Sequence, residues 1–397
     1  MHVVVLELPF FNRSTPTKGF AYLVRLIKQI SFCFGNTLDS NLIKRKIVVC
    51  TASQHESSFD KSIVVRDGGG IGIILTDQIS GNEDVGYEHV IPTTILDPKQ
   101  VETLQDYFIL NNQLKPTARG CSATIKIGAT IQAPKMAVFS SRGPNPIAPD
   151  IIKPDITAPD VNILAAWPPA SGEGVGYYKF ESGTSMSCPH VSAVAAIIKS
   201  YHPTWSPEAI KSAIMTTATE MDNTKRPMVR NLHGSSTTPL DYGSGHINPA
   251  AALDPGLVYD YNTTDMINFL CNSIDVNLTI FPSLVTCPNP PIPNYDINYP
   301  SIGVSELNGH VLVRRTVTYC GQGPTVFKEN LLAPAGVTIT LKPKELEFKK
   351  AGEHKSFDVN FVPDKTSFGG VVFGSLTWSN GKYNVRSPIL VGVIKMQ

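Results

Sequence analysis

Residues 185–200 read as a helix that is apolar on nearly every side: Val191, Val194, Ala195, Ile197 and Ile198 are separated mostly by alanine and serine. A surface helix keeps one polar face, so a helix without one needs cover all round. The pattern predicts a central, buried helix. A second helix announces its start with Ser206 as N-cap, Pro207 at the first helical position and Glu208 in the first turn, and runs to about Thr217. Upstream, residues 46–50 and 70–75 read as buried strands and residues 101–110 as a helix, an αβ pattern over 33–120. Turn-forming Gly, Pro and Asn residues crowd the stretch from about 131 to 290. From about 295 the rhythm changes to short β runs at 311–317, 337–341, 356–362, 371–378 and 385–393, as in a β-sandwich of roughly 100 residues. The fold class expected is α/β, with an all-β sandwich at the C-terminal end. Residues 1–32 show no clean period and stay unplaced.

Composition narrows the function. With 42% hydrophobic and 17% charged residues, the 397-residue chain can bury a substantial core. A formal net charge of +1 offers no field to draw it to nucleic acid or an anionic membrane. No run of 18 apolar residues occurs, since Arg25 and Lys28 interrupt the N-terminal candidate, so no membrane span is expected. The short run 3–8 contains Glu7 and makes a poor signal peptide. Seven cysteines, an odd number without a CxxC pair, argue against a disulfide scaffold and against zinc. Asn12, Asn262 and Asn277 head glycosylation triplets, a pattern that also arises by chance.

The sharpest local feature is Gly183-Thr184-Ser185-Met186-Ser187-Cys188-Pro189-His190-Val191. A glycine-led turn here delivers a serine to the first turn of a helix. Unpaired N–H groups and the positive dipole end at that position would stabilise an oxyanion beside the serine. By spacing alone, the same residues also describe an ordinary serine at the start of a core helix.

The block resembles the nucleophile segment of subtilisin-like serine proteases. In order and spacing, further segments resemble the plant members of that family: Phe139-Ser140-Ser141-Arg142-Gly143-Pro144-Asn145, Lys153-Pro154-Asp155-Ile156-Thr157-Ala158-Pro159, Tyr242-Gly243-Ser244-Gly245-His246 and Asn298-Tyr299-Pro300-Ser301. The resemblance implies a protease-associated domain at 33–130, the C-terminal part of a subtilisin-like catalytic domain at 131–290 and a fibronectin type III-like domain at 291–397. It implies Ser185 as acylating nucleophile, supported by Gly183 and Thr184 and by the Ser185 N–H as an oxyanion donor. It also implies disulfides Cys33–Cys50 and Cys271–Cys287, glycosylation at Asn262 and Asn277, a polypeptide substrate, an extracellular setting, and no cofactor or metal. Cys188 is expected as a buried thiol behind the nucleophile. Asp160 stands where relatives usually carry glycine, in a turn that can demand positive φ. Tyr319-Cys320 replaces the usual Asn-Val, adding a thiol without an evident partner.

The triad is incomplete in this sequence. The family order is Asp, His, Ser, with the serine roughly 160 residues after the histidine. Only about 86 residues of catalytic-type sequence precede Ser185, and neither the Asp-Thr-Gly nor the His-Gly-Thr-His block occurs. The pattern resembles that expected of an N-terminally truncated subtilase. His190, five residues on along the same helix, sits about 7.5 Å away along the axis and roughly 140° round it, so it cannot serve as base. His246 lies in a glycine-rich segment that is structural in relatives, and His233 in a polar loop. The expectation is a serine endopeptidase by family that is inactive alone. The alternatives are a non-catalytic protein-binding or regulatory module that pairs with a full-length relative, or an incomplete reading of a longer gene.

Overall fold

A computed structural model describes residues 3–5, 21–25, 32–51, 57–76, 89–96, 98–110, 117–118, 124–126, 132–168, 178–230, 236–261, 263–273, 287–290, 292–364 and 369–394. The chain divides into two compact bodies, one of residues 1–131 with 160–186 and the other of residues 132–159 with 187–397.

In the first body, a five-stranded sheet has the spatial order Thr93–Leu96, Gly72–Thr76, Ile47–Thr51, Ala21–Arg25, Thr117–Ala118. The first four strands are parallel and the last is antiparallel. Period-2 alternation assigns the faces. Val48 and Cys50 join Ile73, Leu75, Val65 and Ile43 in one cluster, while Ile74 and Leu96 meet Val101 and Leu104 of the Pro98–Leu110 helix on the other. Cys33 is bonded to Cys50, both fully buried, closing a 17-residue separation. A loop of that size contributes about 3 kcal/mol by constraining the unfolded chain. Residues 21–25, within the segment left unplaced by its sequence, form a strand of this sheet. Five residues are too few to declare a period, and the neighbouring strand supplies the pairing that defines them. Asn12 and Cys121 lie outside the described residues.

In the second body, two sheets make the sandwich. One has the order Leu257–Tyr259, Val311–Tyr319, His354–Pro363, Val337–Lys342; the other has Ile302–Leu307, Asn384–Val393, Gly370–Ser379, Thr325–Leu332, Glu345–Phe348. The five β runs read from sequence all appear, and the strands at 302, 325 and 345 complete the sheets. Leu257–Tyr259, which falls in the stretch expected to be catalytic, pairs with residues 317–319 of the sandwich. Trp378, Phe327, Phe348, Phe357, Phe361 and Tyr319 fill the space between the sheets. The Tyr319 hydroxyl donates to the Gln322 carbonyl at 3.0 Å, so the departure Tyr319-Cys320 is absorbed in the aromatic core. Cys320 packs half-buried beside it, its thiol pushed up to about 12 by burial and by Asp254 and Asp260.

Asn384–Val393 is buried almost continuously, unlike the alternating strands around it, because the Pro207–Thr216 helix covers its other face. That helix is capped as its sequence predicts, with Ser206 Oγ accepting the Ala209 N–H at 2.9 Å. Residues 209, 210 and 212–216 are all buried. Its two interior hydroxyls are paired: Ser212 Oγ accepts the Tyr259 N–H and Thr216 Oγ1 donates to the Ser212 carbonyl, both at 2.8 Å. This helix, rather than the one at 184–201, is the central one.

Arg315 is 2% exposed without a carboxylate partner within salt-bridge distance among the described residues. Its guanidinium donates to the carbonyls of Tyr299, Tyr295, Arg314 and Ser301 at 2.9–3.2 Å. Burial lowers it to about 10, which leaves it charged at neutral pH. Arg315→Met is expected to cost about 3 kcal/mol, because several buried carbonyls lose their donor at once. The check is urea denaturation: the midpoint should fall at an unchanged slope.

Candidate active site

An antiparallel hairpin, Ile163–Ala166 with Tyr178–Glu181, feeds the nucleophile turn and sets Leu164 opposite Phe180 and Ala166 opposite Tyr178. Three backbone donations pin the turn beyond the hairpin: Asn162 N–H to Ser182 Oγ at 2.8 Å, Gly183 N–H to the Asp160 carbonyl at 2.9 Å, and Met186 N–H to the Gly183 carbonyl at 2.8 Å. Gly183 takes φ 154°, a conformation that L side chains rarely adopt, so glycine is required there. The chain then enters the Thr184–Tyr201 helix, with Ser185 as its second residue.

Ser185 and Thr184 are exposed, and Ser185 Oγ makes no hydrogen bond among the described residues. The Ser185 N–H belongs to the first helical turn, where no intrahelical acceptor exists. Pro189, four residues on, lacks the N–H that would bond the Ser185 carbonyl and stands inside the helix. The serine is thus presented at a helix N-terminus as the sequence led one to expect.

The helix itself departs from expectation. Only Val194 and Ile198 are buried, packed with Ala158, Ala209, Ile210, Ala213, Ile214 and Ile247. Ser187 Oγ donates to the Ala158 carbonyl at 2.9 Å on that side. Elsewhere Pro189, Ala193 and Ala196 are exposed, Ile197 is 47% exposed and Tyr201 69%. Cys188, expected as a buried thiol, is exposed as well. Hydrophobic composition indicates a face that favours cover; which faces receive it depends on the neighbours, and here one side alone does.

Among the described residues, no histidine is hydrogen-bonded to Ser185 Oγ. His190 follows on the same helix, half-buried. His246 is held by its backbone, which exchanges hydrogen bonds with Thr219 at 2.7 and 2.9 Å. Burial and then the neighbouring His190 push its imidazole below the usual range, and Nδ1 lies 3.2 Å from the Ile247 carbonyl. His202 stacks on Trp205 at 3.9 Å between centroids and contacts the Leu253 carbonyl through Nε2. His233 lies outside the described residues, as do Asn262 and Asn277. Cys271 is bonded to Cys287. Among the described residues no group of three or more His, Cys, Asp or Glu is placed to hold a metal ion.

Asp160 is the residue whose chemistry sequence reasoning understated. The positive φ anticipated there falls two residues later, at Asn162, with φ 53°. What distinguishes Asp160 is burial, which raises its carboxyl to about 6. Its backbone carbonyl is also the acceptor that holds Gly183.

The profile of the subtilase family matches residues 77–245, and that of a fibronectin type-III domain matches residues 296–391. A subtilisin-like serine-protease S of Lotus japonicus is 50% identical over 375 residues, covering 92% of this chain and 48% of that protein. A subtilisin-like protease of Arabidopsis thaliana is 40% identical over 371 residues, covering 90% and 47% respectively. A CO(2)-response secreted protease of the same plant is 41% identical over 385 residues, covering 90% and 48%. The chain belongs to the subtilase family, among its plant members, and carries a fibronectin III-like β-sandwich at its C-terminal end. It spans about half the length of these relatives.

The Asp160 carboxyl yields a signed prediction. The folded protein holds its proton up to about pH 6, whereas the unfolded chain releases it near its ordinary value of 3.8. Between these values the folded state binds more protons, so the contribution is present at low pH and is lost as pH rises through the window. Asp160→Asn should flatten the thermal-stability profile across that window and stabilise the protein at pH 7. The gain is roughly 1 kcal/mol, reduced from the full shift because the site is partly solvated. Melting temperatures of both proteins at pH 4 and pH 7 provide the check.

Proposed function

We propose that Ser185 is the acylating nucleophile of a serine endopeptidase site, and that this chain by itself hydrolyses peptide bonds inefficiently. The observation that carries the reading is the exposed Ser185 at the mouth of the Thr184–Tyr201 helix, led in by Gly183, with no imidazole bonded to its Oγ among the described residues. An unassisted hydroxyl is a weak attacker at neutral pH. In triad enzymes, loss of the base alone lowers kcat by on the order of 10^6. The chain contributes the serine and the oxyanion-side helix terminus. Residues 33–130 act as a protease-associated domain and residues 131–290 as the C-terminal part of the catalytic domain. The substrate is a polypeptide. The setting is extracellular, in keeping with two disulfides and with family members named as secreted. No helix among the described residues is long and apolar enough to cross a membrane.

A fluorophosphonate probe tests the claim directly. Purified chain should label no faster than Ser185→Ala; rapid labelling confined to Ser185 would show that the serine is activated and overturn the assignment of low activity.

A second reading, a protein-binding module that pairs with a full-length relative, is favoured by the uncovered apolar side of the same helix, where Ile197 and Tyr201 face solvent. Co-expression with a full-length subtilase followed by size-exclusion chromatography should give a joint peak that Tyr201→Asp abolishes. Separate elution of the unaltered chain would count against pairing.

A further inference from the structure

A cavity of about 340 Å³ opens in the second body, apart from any use of Ser185. Its walls come from five elements, the fifth being the start of the His354–Pro363 strand, which contributes His354. Glu208 lies in the first turn of the Pro207–Thr216 helix, and Asp260 and Tyr261 follow the Leu257–Tyr259 strand. Met266 projects from the Thr263–Ser273 helix, and Thr316 and Thr318 from the Val311–Tyr319 strand.

Two carboxylates, Glu208 and Asp260, line the cavity against a single basic group, His354, whose Nδ1 lies 2.8 Å from Thr318 Oγ1. Neither Glu208 nor Asp260 forms an ion pair with a cation among the described residues. The Tyr261 hydroxyl registers the imbalance: burial, then the carboxylates of Glu208, Asp155, Asp260 and Asp265, all push it above its ordinary value. The N-terminus of the Pro207–Thr216 helix accounts for part of this acidity, since one carboxylate in a first turn offsets the dipole. A second carboxylate beside it goes beyond that need.

The walls are also fixed in place. The Ser206 hydroxyl donates to Asp260 Oδ1 at 2.8 Å, leaving the other oxygen open, and Asn298 Nδ2 donates to the Asp260 carbonyl at 3.2 Å. Asn298 in turn accepts the Thr316 N–H at 2.8 Å, and Thr318 Oγ1 lies 2.8 Å from His354 Nδ1. A carboxylate held in this way needs little reorganisation to accept a charged donor. The Met266 thioether, 48% exposed, and the Tyr261 ring supply an apolar flank. A long alkyl stem ending in a cation matches such a flank with carboxylates at its end.

We propose that this cavity binds a lysine or arginine side chain of a polypeptide, with Glu208 and Asp260 receiving the cation and Met266 and Tyr261 covering the stem. The site takes an organic cation rather than a divalent metal, because no set of three or more potential ligands is assembled among the described residues.

The test uses the whole chain labelled at methionine methyl groups and followed by NMR, titrated with acetyl-Ala-Arg-Ala-amide, its lysine counterpart and a norleucine counterpart. The arginine and lysine peptides should shift the Met266 methyl signal saturably, and the norleucine peptide should not. Binding should weaken as sodium chloride rises from 50 to 500 mM, through screening of exposed carboxylates. Glu208→Gln and Asp260→Asn, each checked for an unchanged melting temperature, should each weaken the arginine peptide at least about 5-fold. Equal titration by norleucine would overturn the proposal. So would unchanged affinity in both variants, failure of either basic peptide to move the signal at millimolar concentration, or displacement of bound peptide by millimolar calcium chloride. None of these readouts depends on Ser185, so the proposal stands or falls independently of the endopeptidase reading.

Discussion

Much of the second body hangs on a buried guanidinium. Arg315 sits on an inward-facing position of a sandwich strand, yet it spends its donors on the carbonyls of residues 295, 299, 301 and 314. Those bonds hold the segment that leads into the sandwich. From the same segment, the Tyr299 hydroxyl donates to Asp155 Oδ1 at 2.6 Å, and Asn298 joins the Asp260 carbonyl to the Thr316 strand. Asp155 lies three residues before Ala158, whose methyl packs beneath the nucleophile helix and whose carbonyl receives Ser187. A cation in the sandwich is thereby connected, through identifiable bonds, to the seat of the helix that carries residues 187–201. Buried charge without an opposite charge is costly, and it is tolerated here because four of the five guanidinium N–H groups donate to carbonyls.

The two successive helices at 184–201 and 207–216 divide the work of burial unevenly. The shorter has the nucleophile helix on one side and the sandwich strands at 257 and 384 on the other, and nearly all of its positions are dry. The longer is seated along Val194 and Ile198 only. Its first turn is therefore well anchored from one side while the serine stays accessible. Among the described residues, Ser185 Oγ is exposed and has no imidazole bonded to it.

Acidic groups illustrate how environment sets chemistry on one scaffold. Asp241 lies buried against Arg142 and Arg230. Although burial alone would raise its carboxyl, hydrogen bonds from Thr238 and the two guanidinium groups hold it below its ordinary value. Asp160 has burial without such partners and is raised. Glu208 and Asp260 are neither deeply buried nor ion-paired with a cation among the described residues.

How much was legible beforehand depends on the kind of information each feature needs. Ser206 and Pro207 mark a helix start through local backbone chemistry, the alternation at 311–317 and 356–362 marks strands, and Gly183 marks a turn only glycine fits; these were readable because neighbours in the chain decide them. The strand at 21–25 was not, since five residues carry no period and the partner strand lies more than 20 positions away. Nor was the exchange of roles between the two helices, because hydrophobicity states that a surface favours cover and not which partner provides it. Residue order alone was enough for the layout of most elements and for the glycine-led turn that delivers Ser185 to a helix N-terminus. The folded arrangement was needed to learn that Cys188 and Ile197 face solvent, that Asp160 titrates near 6 and that Glu208 and Asp260 share one cavity with Tyr261. Burial, field and enclosure are properties of atoms gathered from distant parts of the chain, and no local pattern encodes them.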